Sequence, residues 1–387
     1  MAQDTKNTTM SRRAIIAGVA VATTTPFAAL AASNPPSTAT VPRAHSGAGT
    51  SAAPASSRRI FVESEFAPLR TVVLAQSQMR LPDASTFAPE QLEAELAIMP
   101  VDKRDLIRSL LGKDHAIAMP ARQAQWEAER TALKAVLEKH GVEVLRPRLL
   151  TQYEKVAGGK QGYSNDFVRD PWFTVGNYVT EGSLRFPHRR LEVLPSRDIM
   201  YAQVVPAACT YTALPQPEIM PLEVDDGGPG PFLEGGDVLV YGRHVFVGHS
   251  GRASTVQGAE HLRKLLAPAG YTVESVPMKP DILHLDCTMG MVREGLLAVY
   301  ADGLLNGVPK ALANWERISV SQEEAANLGT NGLPISPTVY VTDPFFKRIG
   351  DEVAKHGIHV EYVDFQISRG FGGAFRCSTQ PLWRETA

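Results

Sequence analysis

Two rhythms of apolar positions run through the chain, and they alternate. The stretch from Ile60 ends in Pro68-Leu-Arg-Thr-Val-Val-Leu74, whose β-branched run predicts a buried strand. Residues 84–116 have a mixed pattern that reads as a helical insertion after that strand. From Pro120 to His140, Trp126, Leu133, Val136 and Leu137 recur at helical spacing. Gly141 stands where a helix C-cap belongs, and Val142-Glu-Val-Leu145 begins a strand. The same order returns twice. A helix over Thr255–Ala269 stops at Gly270 and is followed by Tyr271-Thr-Val273; another over Pro344–His356 stops at Gly357 and is followed by Ile358-His-Val360. Any α/β protein can end its helices this way, and an internally repeated βαβ-type unit would do so by construction.

Hairpin patterns fill the intervals. Trp172–Val175 and Tyr178–Thr180 flank Gly176-Asn177, and Val238–Tyr241 and Val245–Val247 flank Gly242-Arg243-His244. Leu296–Tyr300 and Val339–Val341 read as further strands. Two or three strands for each helix predict small mixed sheets rather than one doubly wound parallel sheet.

The first 58 residues follow neither rhythm. Ser11-Arg12-Arg13 is a twin-arginine pair ahead of a weakly apolar run, with small residues at Phe27-Ala-Ala-Leu-Ala31, the build of a bacterial export signal over residues 1–31. Thr23 to Pro26 interrupt it, whereas a membrane span needs about 20 consecutive apolar residues. Residues 32–58 are mostly Ala, Ser, Pro, Thr and Gly with almost no large apolar side chain, a composition expected to stay disordered. Residues 59–387 are then the folded domain, expected in the periplasm or outside the cell, with no stable membrane insertion once the signal is removed. The formal charge is -2; removing Lys6, Arg12, Arg13 and Asp4 with the signal takes away +2 and leaves -4. A mildly acidic chain without Lys/Arg blocks carries no footprint for nucleic acid. Three cysteines make no disulfide framework. Cys209 and Cys287 could pair, while Cys377 would have to stay free to react. The chain also leaves room for a homo-oligomer.

Candidate chemistry gathers in four short clusters. Arg369-Gly-Phe-Gly-Gly-Ala-Phe-Arg-Cys-Ser-Thr-Gln380 delivers Cys377 from a glycine-rich turn, where the backbone can approach a ligand closely. Arg169-Asp170-Pro171 opens a strand at a fixed turn. Glu234-Gly-Gly-Asp237 stands at the entrance of another. His284 and Asp286 flank Leu285, and on an extended segment alternation would send both polar side chains to one face. One thiol, one imidazole and several carboxylates make a nucleophile, a base and a receptor for a planar cation, because carboxylates pair with a guanidinium through two hydrogen bonds at once. A bound guanidinium would in turn favour the thiolate over the thiol. No loop has the spacing of a nucleotide-binding turn, and no Cys/His cluster has that of a zinc site.

Taken together, Arg169-Asp-Pro171 with Val175-Gly-Asn177, Phe232-Leu-Glu-Gly-Gly-Asp-Val238, His284-Leu-Asp286 and Gly372-Gly-Ala-Phe-Arg-Cys377 resemble, in order, the motifs of the guanidino-modifying enzymes of the pentein fold. The resemblance covers roughly residues 60–385. It implies a five-bladed α/β propeller of ββαβ-type units around a central site, a small guanidino substrate, and neither cofactor nor metal. It further implies Cys377 as nucleophile, His284 as general acid/base, Glu234 as the acid beside it, and Asp170 and Asp286 as the holders of the guanidinium, with Asp237 nearby on the substrate side. Arg185-Phe-Pro-His-Arg-Arg190 and Gly251-Arg-Ala-Ser254 resemble stretches that supply arginines for a substrate carboxylate, which makes Arg189 and Arg252 candidates. The implied reaction is deimination of arginine or a related compound. Asp286-Cys-Thr288, Tyr211-Thr-Ala-Leu-Pro-Gln-Pro217 and Gly372-Gly-Ala-Phe375 resemble amidinotransferases instead, in which an amine rather than water takes the amidino group.

Overall fold

The computed structural model describes residues 58–386 apart from 88–89, 91, 94–95, 97–100, 187–188 and 217–229. The expected export segment and all but the last residue of the linker lie outside the described residues. Strand β1 (Leu69–Leu74) is followed by β2 (Gln78–Arg80), β3 (Glu143–Leu145) and β4 (Tyr163–Asn165), with β2 and β4 paired antiparallel and β3 parallel to β1. Then come β5 (Trp172–Val175), β6 (Tyr178–Glu181) and β7 (Thr210–Ala213), and after them β8 (Val238–Tyr241), β9 (His244–His249) and β10 (Thr272–Pro277). The order continues with β11 (Met289–Arg293), β12 (Leu296–Val299), β13 (Glu316–Ser319), β14 (Leu333–Ser336), β15 (Val339–Thr342), β16 (His359–Tyr362) and the last strand, β17 (Thr379–Arg384).

Among the described residues these strands form five three-stranded sheets: β17-β1-β3, β5-β6-β7, β8-β9-β10, β11-β12-β13 and β14-β15-β16. Every one joins an antiparallel pair to a parallel third strand. The repeated unit is therefore present five times, although the sequence betrays it only three times. The reason lies in the crossovers. Pro120–Lys139, Val256–Leu266 and Lys347–Ala354 are α-helices, each closed within a few residues by Gly141, Gly270 or Gly357 at positive φ. The β6–β7 crossover carries short 3₁₀, α and π turns over Leu194–Val204, and β12–β13 only two 3₁₀ turns, so neither shows a helical period. The 84–116 insertion contains helices Val101–Leu110 and His115–Ala118.

The first sheet is built from both ends of the domain, because β17 supplies the antiparallel partner of β1. The segment ahead of β1 then laces sheets together. Val62 exchanges two backbone hydrogen bonds with Gly176 (2.9 and 2.6 Å), Glu63 O accepts from Gly242 (2.7 Å), and Phe61 bonds to both Leu382 and Arg384 (2.9 Å each). Leu133 and Leu137 of the long helix pack with Leu69, Val72, Leu74, Ala374 and Phe375 in one core cluster. Two residues of the loop that ends at Cys377 are thus anchored in apolar packing. All three cysteines are free, so Cys209 and Cys287 do not pair. No helix among the described residues is long and apolar enough to cross a membrane.

Candidate active site

The Arg169-Asp-Pro171 turn runs directly into β5, and the Glu234-Gly-Gly-Asp237 turn folds onto it. Gly235 N–H donates to the Asp170 carbonyl (3.1 Å) and Gly236 N–H to Asp170 Oδ1 (2.9 Å). Both glycines are dictated by the closeness of this approach. A Cβ on Gly235 would lie 2.0 Å from the Arg169 carbonyl, and one on Gly236 would lie 2.7 Å from both Asp170 Oδ1 and His284 Nδ1.

His284 is extended (φ -128°, ψ 162°), but Leu285–Cys287 forms a single 3₁₀ turn rather than a strand. The expectation that alternation places His284 and Asp286 on one strand face is therefore corrected. Leu285 is drawn into an apolar cluster with Phe66, Leu239 and Met289, and the turn lets its two polar neighbours point to different partners. His284 Nε2 lies 2.9 Å from Glu234 Oε2, and its Nδ1 lies 3.8 Å from Asp170 Oδ1. Asp286 instead receives Arg376 Nη1 on Oδ2 (2.9 Å), and the Cys377 sulfur stands 3.8 Å from that same oxygen. Cys287 Sγ is 3.7 Å from the other oxygen, so one carboxylate separates two thiols.

Asp237 faces backbone: Oδ1 accepts from Leu285 N–H (2.8 Å) and Oδ2 from Ser254 N–H (3.2 Å), which fixes the residue after His284. Arg189 is buried, with its guanidinium against Asp170, Glu234 and Glu192. Arg252 is half-buried on the 250–253 turn, and its Nε donates to the Pro280 carbonyl. Asp170, Glu234, His284, Asp286 and Cys377 are all buried.

Burial and neighbouring charge set the protonation states. Burial disfavours the imidazolium of His284, but Asp170, Glu234 and Asp237 outweigh it and push its pKa up to about 10. The Cys377 thiol is pushed well above its usual range, first by burial and then by the charges of Asp286 and Asp170. Asp237 is pushed up to about 7, chiefly by burial. At rest the site therefore pairs a charged imidazole with a neutral thiol. The ligating atoms of Asp170, Glu234 and His284 lie within 4.8 Å of one another, close enough for a metal ion, yet Arg189 already brings a positive charge to both carboxylates.

Three contributors carry no sequence signal of their own. Glu65 accepts Arg376 Nε and Nη2 (3.1 Å each) and Val240 N–H (3.2 Å), pinning the residue before the thiol. Asn331 Oδ1 accepts the Cys377 N–H (3.2 Å), and Glu192 accepts two bonds from Arg189 (2.9 and 2.8 Å). Glu65 and Arg376 are 311 residues apart, a separation no local pattern can encode.

Comparison with known proteins places this geometry in a class. The structure is similar to that of SxtG, an amidinotransferase of the saxitoxin biosynthetic pathway from Microseira wollei, with a TM-score of 0.69 and 19% identity over 85% of this chain and 98% of that one. The fold is that of the α/β enzymes of the pentein superfamily, which modify guanidino groups. Residues 110–384 match the family described as N,N dimethylarginine dimethylhydrolase, eukaryotic, and the chain belongs to that family. It is also 23% identical over 351 residues to inosamine-phosphate amidinotransferase 1 of Streptomyces glaucescens (84% of this chain, 97% of that protein). Over 262 residues it is 28% identical to arginine deiminase of Listeria monocytogenes serotype 4a, strain HCC23 (57% of this chain, 61% of that protein).

Proposed function

We propose that the protein hydrolyses the guanidino group of arginine or a related compound through a covalent amidino intermediate on Cys377. The observation that carries this reading is the thiol standing 3.8 Å from Asp286 Oδ2, its pKa raised first by burial and then by the charges of Asp286 and Asp170. A planar cation seated against those two carboxylates offsets their charge, so the substrate itself promotes loss of the thiol proton to solvent water. The thiolate then attacks the guanidinium carbon. His284, charged at neutral pH, gives its proton to the departing nitrogen, and an amine or ammonia leaves. The now neutral imidazole, held by Glu234, takes a proton from water as the oxygen attacks the amidino carbon, and the C–S bond breaks to return Cys377. Asp237 and Glu65 act as positioning groups for His284 and for the Arg376–Cys377 segment. We read the five sheets as blades around this site, a reading supported by their identical pairing pattern and by β17 completing the sheet of β1. The Ser11-Arg-Arg13 segment supports export to the periplasm or beyond.

A second reading, amidino transfer to an acceptor amine, is favoured by the amidinotransferase relative that spans 84% of this chain. It also passes through a covalent adduct on Cys377, but there the substrate's side-chain amine departs, so the bare amidino group stays on sulfur and an acceptor amine rather than water attacks it. Incubation with arginine, agmatine, methylated arginines and guanidinoacetate tests both readings. Release of ammonia or alkylamine with a ureido product supports hydrolysis. Transfer of labelled amidino carbon to an added amine, without ureido product, assigns the transferase. Cys377→Ala is expected to abolish either turnover while keeping ligand-induced thermal stabilisation, and full activity in that variant ends the thiol mechanism.

A further inference from the structure

Arg189 does not stand where an arginine that clamps a substrate tail would. It is buried, and four of its five N–H groups are given to acids of the protein itself. Nε and Nη2 form a fork on Glu192 (2.9 and 2.8 Å), Nη2 also reaches Asp170 Oδ2 (2.9 Å), and Nη1 reaches Glu234 Oε2 (3.1 Å). A substrate carboxylate brought to this guanidinium would meet three carboxylates around it. Asp170 and Glu234 are also the two acids that flank His284, at 3.8 Å from Nδ1 and 2.9 Å from Nε2. Glu234 Oε2 accepts from both the arginine and the imidazole.

We propose that Arg189 is a positioning residue for the acid/base step: a built-in guanidinium that bridges the two carboxylates flanking His284, holds them in place and limits how strongly they retain the imidazole proton. The inference rests on the assignment of His284 as acid/base but not on which guanidino compound is turned over. The groups facing His284 are Asp170, Glu234 and Asp237, with Arg189 behind the first two and Glu192 behind Arg189. Glu192 in turn takes the Ser164 hydroxyl and adds its charge to Asp166.

The test is a titration of the His284 ring by NMR on the full chain, read without substrate, so that it stands apart from turnover. Arg189→Gln removes the positive charge and is expected to move the His284 titration upward by about one pH unit or more. Arg189→Lys keeps the charge and should leave the titration near that of the wild type, while the loss of the planar fork lowers kcat. Glu192→Gln, an isosteric change that does not touch His284, removes a negative charge and should move the titration downward. It keeps the test available if Arg189→Gln does not fold. A titration unmoved in Glu192→Gln and in whichever Arg189 variant folds would reduce Arg189 to a structural role and overturn the proposal. So would Arg189→Lys raising KM only for guanidino compounds that carry a carboxylate, since that pattern belongs to a substrate clamp.

Discussion

Gly236 offers a sharp test of how tightly the two halves of the site are pressed together. An alanine Cβ there would stand 2.7 Å from Asp170 Oδ1, 2.7 Å from His284 Nδ1 and 2.8 Å from His284 Cγ. Ordinary contact begins near 3.4 Å, so at least one of the two side chains must retreat by about 0.7 Å. Gly236 is not among the positive-φ glycines, so the cost arises from the collision and not from the backbone. Overpacking of this kind costs about 1–3 kcal/mol in a dense interior, a fall of a few degrees in Tm for a chain of this size. The effect on chemistry should be larger, because a displacement approaching 1 Å among reacting groups costs about a hundredfold. Gly236→Ala is therefore expected to fold, to melt slightly earlier and to lose roughly ten- to a hundredfold in kcat/KM. Gly370→Ala is the control, since its Cβ would meet only the far end of Arg122 at 3.4 Å. Differential scanning calorimetry with an ammonia-release assay reads both effects. Wild-type turnover in Gly236→Ala would mean that Asp170 and His284 are not held at this distance during catalysis.

Other outcomes follow from the buried charges. Glu65→Gln leaves Arg376 without its fork partner in a buried setting and should cost about 3–5 kcal/mol, measured by denaturant unfolding; a loss below 1 kcal/mol would place the pair in solvent. Asp286→Asn should weaken guanidine binding by about 2 kcal/mol in calorimetry, and unchanged affinity would seat the cation elsewhere. Because the folded pKa of His284 is raised to about 10, its contribution to stability is full below the unfolded value near 6.5 and is lost as pH climbs through that window. His284→Gln should therefore flatten the fall in Tm between pH 6.5 and 10, and a parallel curve in the variant would refute the raised pKa.

Much of the architecture was legible wherever backbone chemistry is local. Gly176 and Gly242 mark hairpin turns at positive φ between β-branched runs, and Gly141, Gly270 and Gly357 mark helix ends. The crossovers without a regular helix were not legible, because their short turns carry no period to read. At the site, Asp170, Glu234, His284, Asp286 and Cys377 were each visible as polar residues at glycine-rich turns or beside strands, and the structure gathers them in its buried interior. His284-Leu-Asp286 looked like strand alternation because burial of Leu285 between two polar residues has the same signature in a tight turn. Arg189 read as a candidate for a substrate carboxylate, and its contacts with Asp170 and Glu234 were not legible because those partners lie 19 and 45 residues away, beyond any helical or strand spacing.

The pairing of β17 with β1 has a consequence for biosynthesis. Cys377 and the strand that follows it leave the ribosome long after Glu65, which anchors its neighbour Arg376 from 311 residues earlier in the chain. Four sheets can form from their own consecutive segments, but the fifth waits for β17, at the entropic cost of closing a loop of more than 300 residues. A nascent chain can hold nearly all of its β-structure while this site is still unformed, so Cys377 settles beside Asp286 only once β17 has been made.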